Sequence, residues 1–401
     1  MSGVIPYGRQ NITQADIDAV VKTLTADYLT QGPRILEFEE AFARYVGADY
    51  AVAISNGTAG LHLAVMALGL KEDEFVICAP LTFAASANCV EYSGGNVLFA
   101  DIDPLTYLMD LDSVKDVIAE NSDKNIRGII PVDFAGRVPL LNEFRTLADK
   151  HDLWIIEDAC HAPGGYFRDE NGIEQLAGNG MFADMSVFSF HPVKHIATGE
   201  GGMITTNDKE LYTSLMTLRT HGISRDNDLF ENSLEVANGS NEGHENYPGW
   251  YMEMHNLGYN YRITDIQAAL GTSQLSRADQ GLERRREIAS IYTKELTGSQ
   301  GILNTSGLID GHAYHLFVIE VENRRGLYEN LRQHKIFAQI HYIPVHLMPY
   351  YSKKGWKLGD LPRVEEYYSR CISIPMFPTL MDEEIAFVVK TIKDFFSTNN
   401  Q

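Results

Sequence analysis

No stretch of the chain approaches the ~18 consecutive apolar residues that a membrane helix needs, and the opening MSGVIPYGRQNITQ has no basic region followed by an apolar run. These absences exclude a helical membrane protein and leave an unexported, cytoplasmic protein as the expectation. Cysteine is scarce: Cys78, Cys89, Cys160 and Cys371 lie far apart, without a C-x-x-C pair. That argues against a disulfide framework and a thiolate zinc site, and it suits a reducing compartment. Positive charge is short as well. With 33 Lys+Arg against 54 Asp+Glu, the formal charge is -21, so the overall field cannot draw in a phosphate backbone, and nucleic acid is not an expected partner. Two glycine signatures are missing too. There is no G-x-x-x-x-G-K-[ST], and no G-x-G-x-x-G follows a strand, which removes the usual support for an ATPase or a dinucleotide-binding protein.

What is present is ordinary globular composition: 401 residues, 44% hydrophobic and 22% charged, a length that suggests about two domains. From Tyr50 to Thr206 short apolar runs alternate with turn residues and longer helical patterns, the mark of parallel strands with crossover helices, so the class is α/β. Seven strands are expected at Ala51–Ile54, Phe75–Ala79, Val97–Ala100, Gly128–Val132, Trp154–Glu157, Ser186–Phe188 and Gly202–Thr205. Helical spacing occupies Gly60–Leu68, Phe83–Tyr92, Ser113–Glu120 and Asn142–Lys150. Ser224 to Trp250 loses all periodicity and reads as a long surface loop, near function or disordered. Thr264 to Leu296 reads as one unbroken helix leaving the large domain, with Arg284–Arg286 taken as a solvated face. The remainder alternates strand-like and helical pieces, as a smaller α+β domain would.

Four features fall at the ends of expected strands, where open α/β sheets bind ligands. Ser55-Asn56-Gly57-Thr58-Ala59-Gly60 joins a strand to a helix start, where small residues and free N–H groups suit an anion; it reads equally as a plain turn capped by Thr58. Trp154 to His161 delivers Glu157, Asp158 and then His161 at a strand's C-terminal end. A carboxylate there must meet a cation, and Asp158 facing a pyridine nitrogen would keep that nitrogen protonated; a structural cap or a metal ligand are the other readings. Ser186 to His195 places Lys194 just past a strand, between His191 and His195 and before the Gly-rich Thr198–Gly202. A desolvated lysine there is a candidate nucleophilic amine, with Ser189 available to a phosphate. Gly258 to Asp265 offers Asn260 and Arg262 as donors, while Thr264 or Asp265 read better as caps. His312 with His315, and His341 with His346, lack acidic or thiolate partners at ligand spacing, so no metal is expected. Tyr342 and His346 stay as candidates for binding a substrate in a cleft.

Together, SNGTAGLH, EDACHAPGG, SFHPVKHIATGEGG and GYNYRITDIQAALG resemble the nucleotide-sugar aminotransferases of the DegT/StrS type, from about Ile5 to the final helix. The resemblance implies a pyridoxal-phosphate enzyme of the aspartate-aminotransferase fold, with a mostly parallel seven-stranded sheet in a large domain (10–262), a small α+β domain (263–401) and an N-terminal arm (1–9). It implies that Lys194 holds pyridoxal phosphate covalently, with Asp158 on the ring nitrogen, Phe83 stacked on the ring and His161 near the 3′-oxygen. Gly57, Thr58, Ala59 and Ser189 would hold the phosphate, joined by Asn260 from the other subunit of a homodimer with shared active sites. Tyr7, Leu29, Thr30, Tyr342 and His346 would line the sugar-nucleotide pocket. Within the family, IPYGRQ, Ala26–Pro33 and His341–Tyr351 look most like the branch that aminates C4 of a 4-keto-6-deoxy UDP-N-acetyl sugar in pseudaminic acid synthesis, with L-glutamate the expected donor. Another nucleotide-linked keto sugar (dTDP or GDP, C3 or C4), or a non-catalytic sensor on the same fold, are the alternatives.

Overall fold

The computed structural model describes residues 3–240 and 243–398. All seven expected strands form: β1 (Tyr50–Ile54), β2 (Phe75–Cys78), β3 (Asn96–Phe99), β4 (Ile126–Ile130), β5 (Trp154–Asp158), β6 (Met185–Ser189) and β7 (Gly202–Thr206). They make one sheet in the order β1-β7-β6-β5-β4-β2-β3. β7 runs antiparallel to both β1 and β6, while the other pairings are parallel, so six strands point one way. β5 and β7 are buried at every position. This explains their apolar runs, because helices cover both faces of the sheet.

The helices α1 (Gln14–Leu24), α2 (Pro33–Val46), α3 (Gly57–Ala67) and α4 (Ala85–Tyr92) pack around this sheet. α3 lies unusually close to it. A Cβ at Gly60 would stand only 2.6 Å from Ile54 Cδ1 and 2.8 Å from Val187 Cγ1, so glycine is what lets the helix rest on β1 and β6. Because six strands are co-directional, the segments after β1, β2, β4, β5 and β6 all emerge at one edge. The crevice they form holds the candidate site.

The chain after Thr264 departs from the expected single helix. Two helices form, Asp265–Leu275 and Ala278–Leu296, with Arg277 between them at φ −127°, ψ 18°. Arg277 is drawn out of line by Asp16, whose carboxylate it grips at 2.5 and 2.8 Å, and by the Asn11 carbonyl at 2.7 Å. Ser276 and Arg277 tolerate helix, so periodicity alone carries no sign of this break. The basic run is not a solvated face either. Arg285 is 1% exposed and donates to the carbonyls of Tyr314, His315 and Met376 at 3.0–3.3 Å. Its neighbours Arg284 and Arg286 reach Asp382 and the His312 carbonyl. A guanidinium on three carbonyls ties the second helix to two loops that would otherwise carry unpaired acceptors.

Downstream, β8 (Ile302–Thr305), β9 (Phe317–Val321) and β10 (Cys371–Ile374) form an antiparallel sheet covered by Ala278–Leu296, Arg324–Gln333 and Asp382–Thr398 around a separate apolar cluster. The N-terminal arm pairs onto this body: Ile5 N–H bonds the Lys335 carbonyl, and Met376 N–H bonds the Tyr7 carbonyl. The described residues between 224 and 250 are also more built than a loop, while 241 and 242 of that expected loop lie outside the described residues. Ile223–Ser224 pairs with Glu253–Met254, Ser233 caps a short helix at Leu234–Asn238, and Phe230, Tyr247 and Tyr251 cluster with ring centroids 4.8–5.6 Å apart. Asn, Ser and Gly dominate this stretch, so three scattered aromatics give no period to read.

Candidate active site

A cavity of about 620 Å³ opens at the C-terminal edge of the sheet. α3 starts at its wall. Asn56, not Thr58, is the cap: its side chain accepts the Ala59 N–H at 2.9 Å. Gly57 and Thr58 face the cavity at the helix start, where first-turn N–H groups lack intrahelical partners and the helix dipole favours negative charge. A Cβ at Gly57 would press on Ser189 Cβ (3.1 Å) and Cys160 Sγ (3.2 Å), so bare backbone forms this cradle, with the hydroxyl-bearing Ser189 beside it.

Asp158 ends β5 on the cavity floor, 5% exposed. Ser86 of α4 donates its hydroxyl to Oδ2 at 2.6 Å, and Cys160 N–H reaches Oδ1 at 3.2 Å. Thr82 Oγ1 in turn meets Ser86 Oγ at 2.7 Å. These bonds fix the carboxyl group in place on the floor, in the same cavity as Lys194. Ser86 escapes sequence reasoning, because a serine inside a helical stretch carries no signal of its own. Glu157 does not join Asp158: alternation along the strand sends it to the other face of the sheet.

Lys194 rides a loop tied at its base by Phe190 N–H to the Gly201 carbonyl and by Thr198 N–H to the Phe190 carbonyl, at 2.8 and 2.9 Å. Gly199, at φ 85°, supplies the left-handed turn that closes it. Burial pushes the Lys194 ammonium down, against the pull of Asp158. A lysine held nearer its free base is a better nucleophile and proton acceptor. Phe83 overhangs the cavity with 63% of its surface exposed, an unusual position for a large aromatic unless a flat ligand covers it.

The opposite wall is made of imidazoles and Tyr342. His161 Nδ1 accepts the Ala135 N–H at 3.3 Å, which leaves the proton on Nε2, 3.2 Å from the Tyr342 hydroxyl. His315 lies tilted against His161 with ring centroids 4.3 Å apart, and the Tyr7 ring is 5.4 Å from that of His341. All of these histidines are driven toward the neutral form. Burial, reinforced by neighbouring cations, holds His161, His195 and His315 well below the usual range, and burial takes His312 and His341 down to about 3.

The sign of the consequence follows. Groups with a depressed pKa bind fewer protons folded than unfolded, so their contribution to stability is lost as pH falls below about 6.5. By pH 5 each such histidine costs about 2 kcal/mol relative to pH 7, whereas Asp133, whose carboxyl burial pushes far up, works the other way at about 1.4 kcal/mol per pH unit. Glu157, pushed up to about 7 by burial, adds to the same side, but five histidines outweigh two carboxyls. The expected result is a melting temperature clearly lower at pH 5 than at pH 7; an equal or higher value would contradict the neutral cluster.

The structure brings Tyr7, Gly57, Thr58, Phe83, Asp158, His161, Ser189, Lys194 and Tyr342 to the one cavity. Ala59 sits just behind its wall, buried. Leu29, Thr30 and Asn260 do not line it in this chain; all three are exposed, with Thr30 bridged to Thr264 and Asn260 to Thr220. His346 lies elsewhere. It is fully buried, with Nε2 3.0 Å from Glu365 and its ring between Trp356 and Phe99 of β3, so it packs against the large sheet and does not line this cavity. Thr264 is the cap expected of it, while Asp265 accepts Gly32 and Arg34 N–H groups and so caps α2 instead.

The cavity thus joins an anion cradle, a flat aromatic cover, a buried carboxylate and a lysine with a lowered pKa. That donor set fits a flat phosphorylated pyridine aldehyde. Residues 10–393 match the DegT/DnrJ/EryC1/StrS aminotransferase family. A UDP-4-amino-4,6-dideoxy-N-acetyl-beta-L-altrosamine transaminase of Campylobacter jejuni is 35% identical, over 97% of this chain and 96% of its own. A GDP-perosamine synthase of Escherichia coli O157:H7 is 33% identical, over 98% and 99%. Spr1654 of Streptococcus pneumoniae, solved in PLP and PMP forms, superimposes with TM-scores of 0.85 and 0.87 at 26% and 27% identity, covering at least 98% of both chains.

Proposed function

The chain belongs to the DegT/DnrJ/EryC1/StrS aminotransferase family, and from that premise we propose that it moves the amino group of L-glutamate to C4 of a 4-keto-6-deoxy UDP-N-acetyl sugar. Its reaction class is that of a pyridoxal-phosphate-dependent sugar aminotransferase. The observation that carries the reading is Lys194, with a lowered pKa, in one cavity with Asp158 and the start of α3.

Bound pyridoxal phosphate supplies a carbonyl carbon that exchanges amino groups and a ring that withdraws electrons as a C–H proton leaves. Lys194 would hold that group through its side-chain nitrogen and, as a free amine, would carry the proton from the amino-bearing carbon to C4′. Asp158, aimed by Ser86, would hold a proton on the ring nitrogen. Gly57 and Thr58 at the helix start, with Ser189, bind the phosphate, and Phe83 covers the ring and excludes water. His161 presents Nε2–H toward the 3′-oxygen and Tyr342, orienting both. The exposure of Leu29, Thr30 and Asn260 supports a homodimer in which each chain contributes these residues to its neighbour's cavity. The 35% relative supports the UDP sugar over the GDP sugar by a narrow margin, so the acceptor is the finest part of the proposal.

The test begins with the visible absorbance of the cofactor-loaded protein. Adding L-glutamate should bleach the visible band within minutes, and a 4-keto-6-deoxy UDP-N-acetyl sugar should restore it, with dTDP- and GDP-linked keto sugars slower. Restoration by a GDP-linked sugar alone would overturn the acceptor but keep the donor reaction. A band indifferent to every amino donor would overturn catalysis.

A further inference from the structure

Behind Asp158, on the far face of β5, the sheet buries two more carboxyl groups that the reaction does not use. Glu157 is 1% exposed. Its Oε2 accepts the Ser186 hydroxyl at 2.5 Å and the Gly178 N–H at 2.9 Å, while Oε1 has no donor. Asp133, just past β4, is 0% exposed, and neither of its carboxyl oxygens meets a donor. Its backbone is locked to the site, with its N–H on the Asp158 carbonyl at 3.1 Å and Val132 bridged to Asp158. The Asp133 carboxyl faces that of Glu157, and the carboxyls of Glu157 and Asp158 both push its own toward the protonated form. A carboxyl pair can bond only if one member keeps its proton. Ionising two facing carboxyls costs a few kcal/mol in mutual repulsion (about 4 kcal/mol for unit charges 4 Å apart at an effective dielectric of 20), beyond the several kcal/mol of desolvation per ion. A single proton between them partners Glu157 Oε1 and one Asp133 oxygen at once.

We propose that Asp133 and Glu157 share one proton and, as a singly charged pair behind Asp158, are positioning residues that keep the cofactor's ring nitrogen protonated. Burial pushes both carboxyls up, Glu157 to about 7 and Asp133, which also faces two other carboxyls, further still, in keeping with Asp133 carrying the shared proton. The pair touches neither cavity nor ligand, as Val132 and not Asp133 lines the wall. Its action is through charge: one fixed negative unit under Asp158 makes a proton on the ring costlier to lose. The inference rests on reading Asp158 as the ring nitrogen's partner.

The experiment uses Asp133→Asn, which keeps a donor and the pair's single charge, and the double variant Asp133→Asn with Glu157→Gln, which removes that charge. Infrared spectra of the cofactor-free protein at neutral pH should show a protonated carboxyl C=O band that Asp133→Asn abolishes; its absence from the wild type would overturn the shared proton. In the cofactor-loaded protein, the pH at which the visible band titrates should stay close to wild type in Asp133→Asn and fall by about one unit in the double variant, with a roughly tenfold slower glutamate step. A double variant that titrates and reacts like the wild type would overturn the positioning role. If the double variant does not fold, Glu157→Gln alone, which removes the pair's charge while Asp133 keeps its proton, takes its place, and wild-type titration and rate in that variant would overturn the positioning role. A loss in Asp133→Asn as deep as in the double variant would show that an ionised Asp133 was needed and would also overturn the proposal. Failure of the underlying reading is seen separately, as an Asp158→Asn protein that behaves like wild type.

Discussion

Replacing Lys194 with Ala is expected to remove covalent capture of the cofactor and to slow the glutamate step by at least about 10³-fold, the upper range for losing a positioned proton carrier that is also the nucleophile. The fold should survive. Lys194 is only half-buried, its ammonium is disfavoured by its surroundings, and its loop is held by backbone bonds from Phe190 and Thr198 that the substitution leaves intact. Melting temperature should therefore change by no more than a few degrees while activity disappears. Pyridoxal phosphate should still bind through the α3 start and Ser189, but as the free aldehyde, removable by dialysis and absorbing differently from the lysine-bound form. Two readouts separate this from trivial damage: the melting curve, and slow conversion by added small primary amines, which can stand in for the missing Nζ in the emptied space. A Lys194→Ala protein that still handles glutamate at the wild-type rate would end the assignment.

The sheet was legible because a strand covered on both faces is a nearly unbroken apolar run, and the seven such runs between Tyr50 and Thr206 are what folding buries. Lys194, Asp158 and the Asn56–Gly60 turn were legible for a related reason: each is a polar or flexible break placed directly after such a run. What escaped was set by tertiary partners. Arg285 looks like any helix-surface arginine until the carbonyls of Tyr314, His315 and Met376 converge on it from two other segments. The break at Arg277 depends on Asp16, some 260 positions away in the chain. His346 stands four residues from Tyr342, yet the turn at Val345–Leu347 rotates it into the core against Glu365. Ser86 and Asp133 matter through what they face, and a sequence records neighbours along the chain, not across it.

Asp158→Asn is the second decisive substitution, and its expected signature differs from that of Lys194→Ala. Asn keeps the size of Asp; its amide oxygen can still accept the Cys160 N–H while its NH2 donates to the Ser86 hydroxyl, which can turn its own proton toward Thr82, so the floor of the cavity should keep its shape. Covalent capture by Lys194 should persist, since the amine, the phosphate cradle and Phe83 are untouched. The loss is of charge alone: the ring nitrogen faces a neutral amide, gives up its proton near neutral pH, and withdraws electrons less strongly as the C–H bond breaks. The glutamate step should fall by roughly 10³-fold, about 4 kcal/mol, comparable with removing a preorganised electrostatic partner from an enclosed site. Cofactor affinity should drop far less than the rate. Asp158→Glu offers the complement, because it restores the charge but lengthens the side chain into a floor closed by Ser86 and Cys160; it should recover part of the rate if charge dominates and none if placement does. Wild-type turnover in Asp158→Asn would show that the ring nitrogen needs no anionic partner, and with it would fall the reason for burying three carboxyl groups, Asp133, Glu157 and Asp158, around the end of one strand.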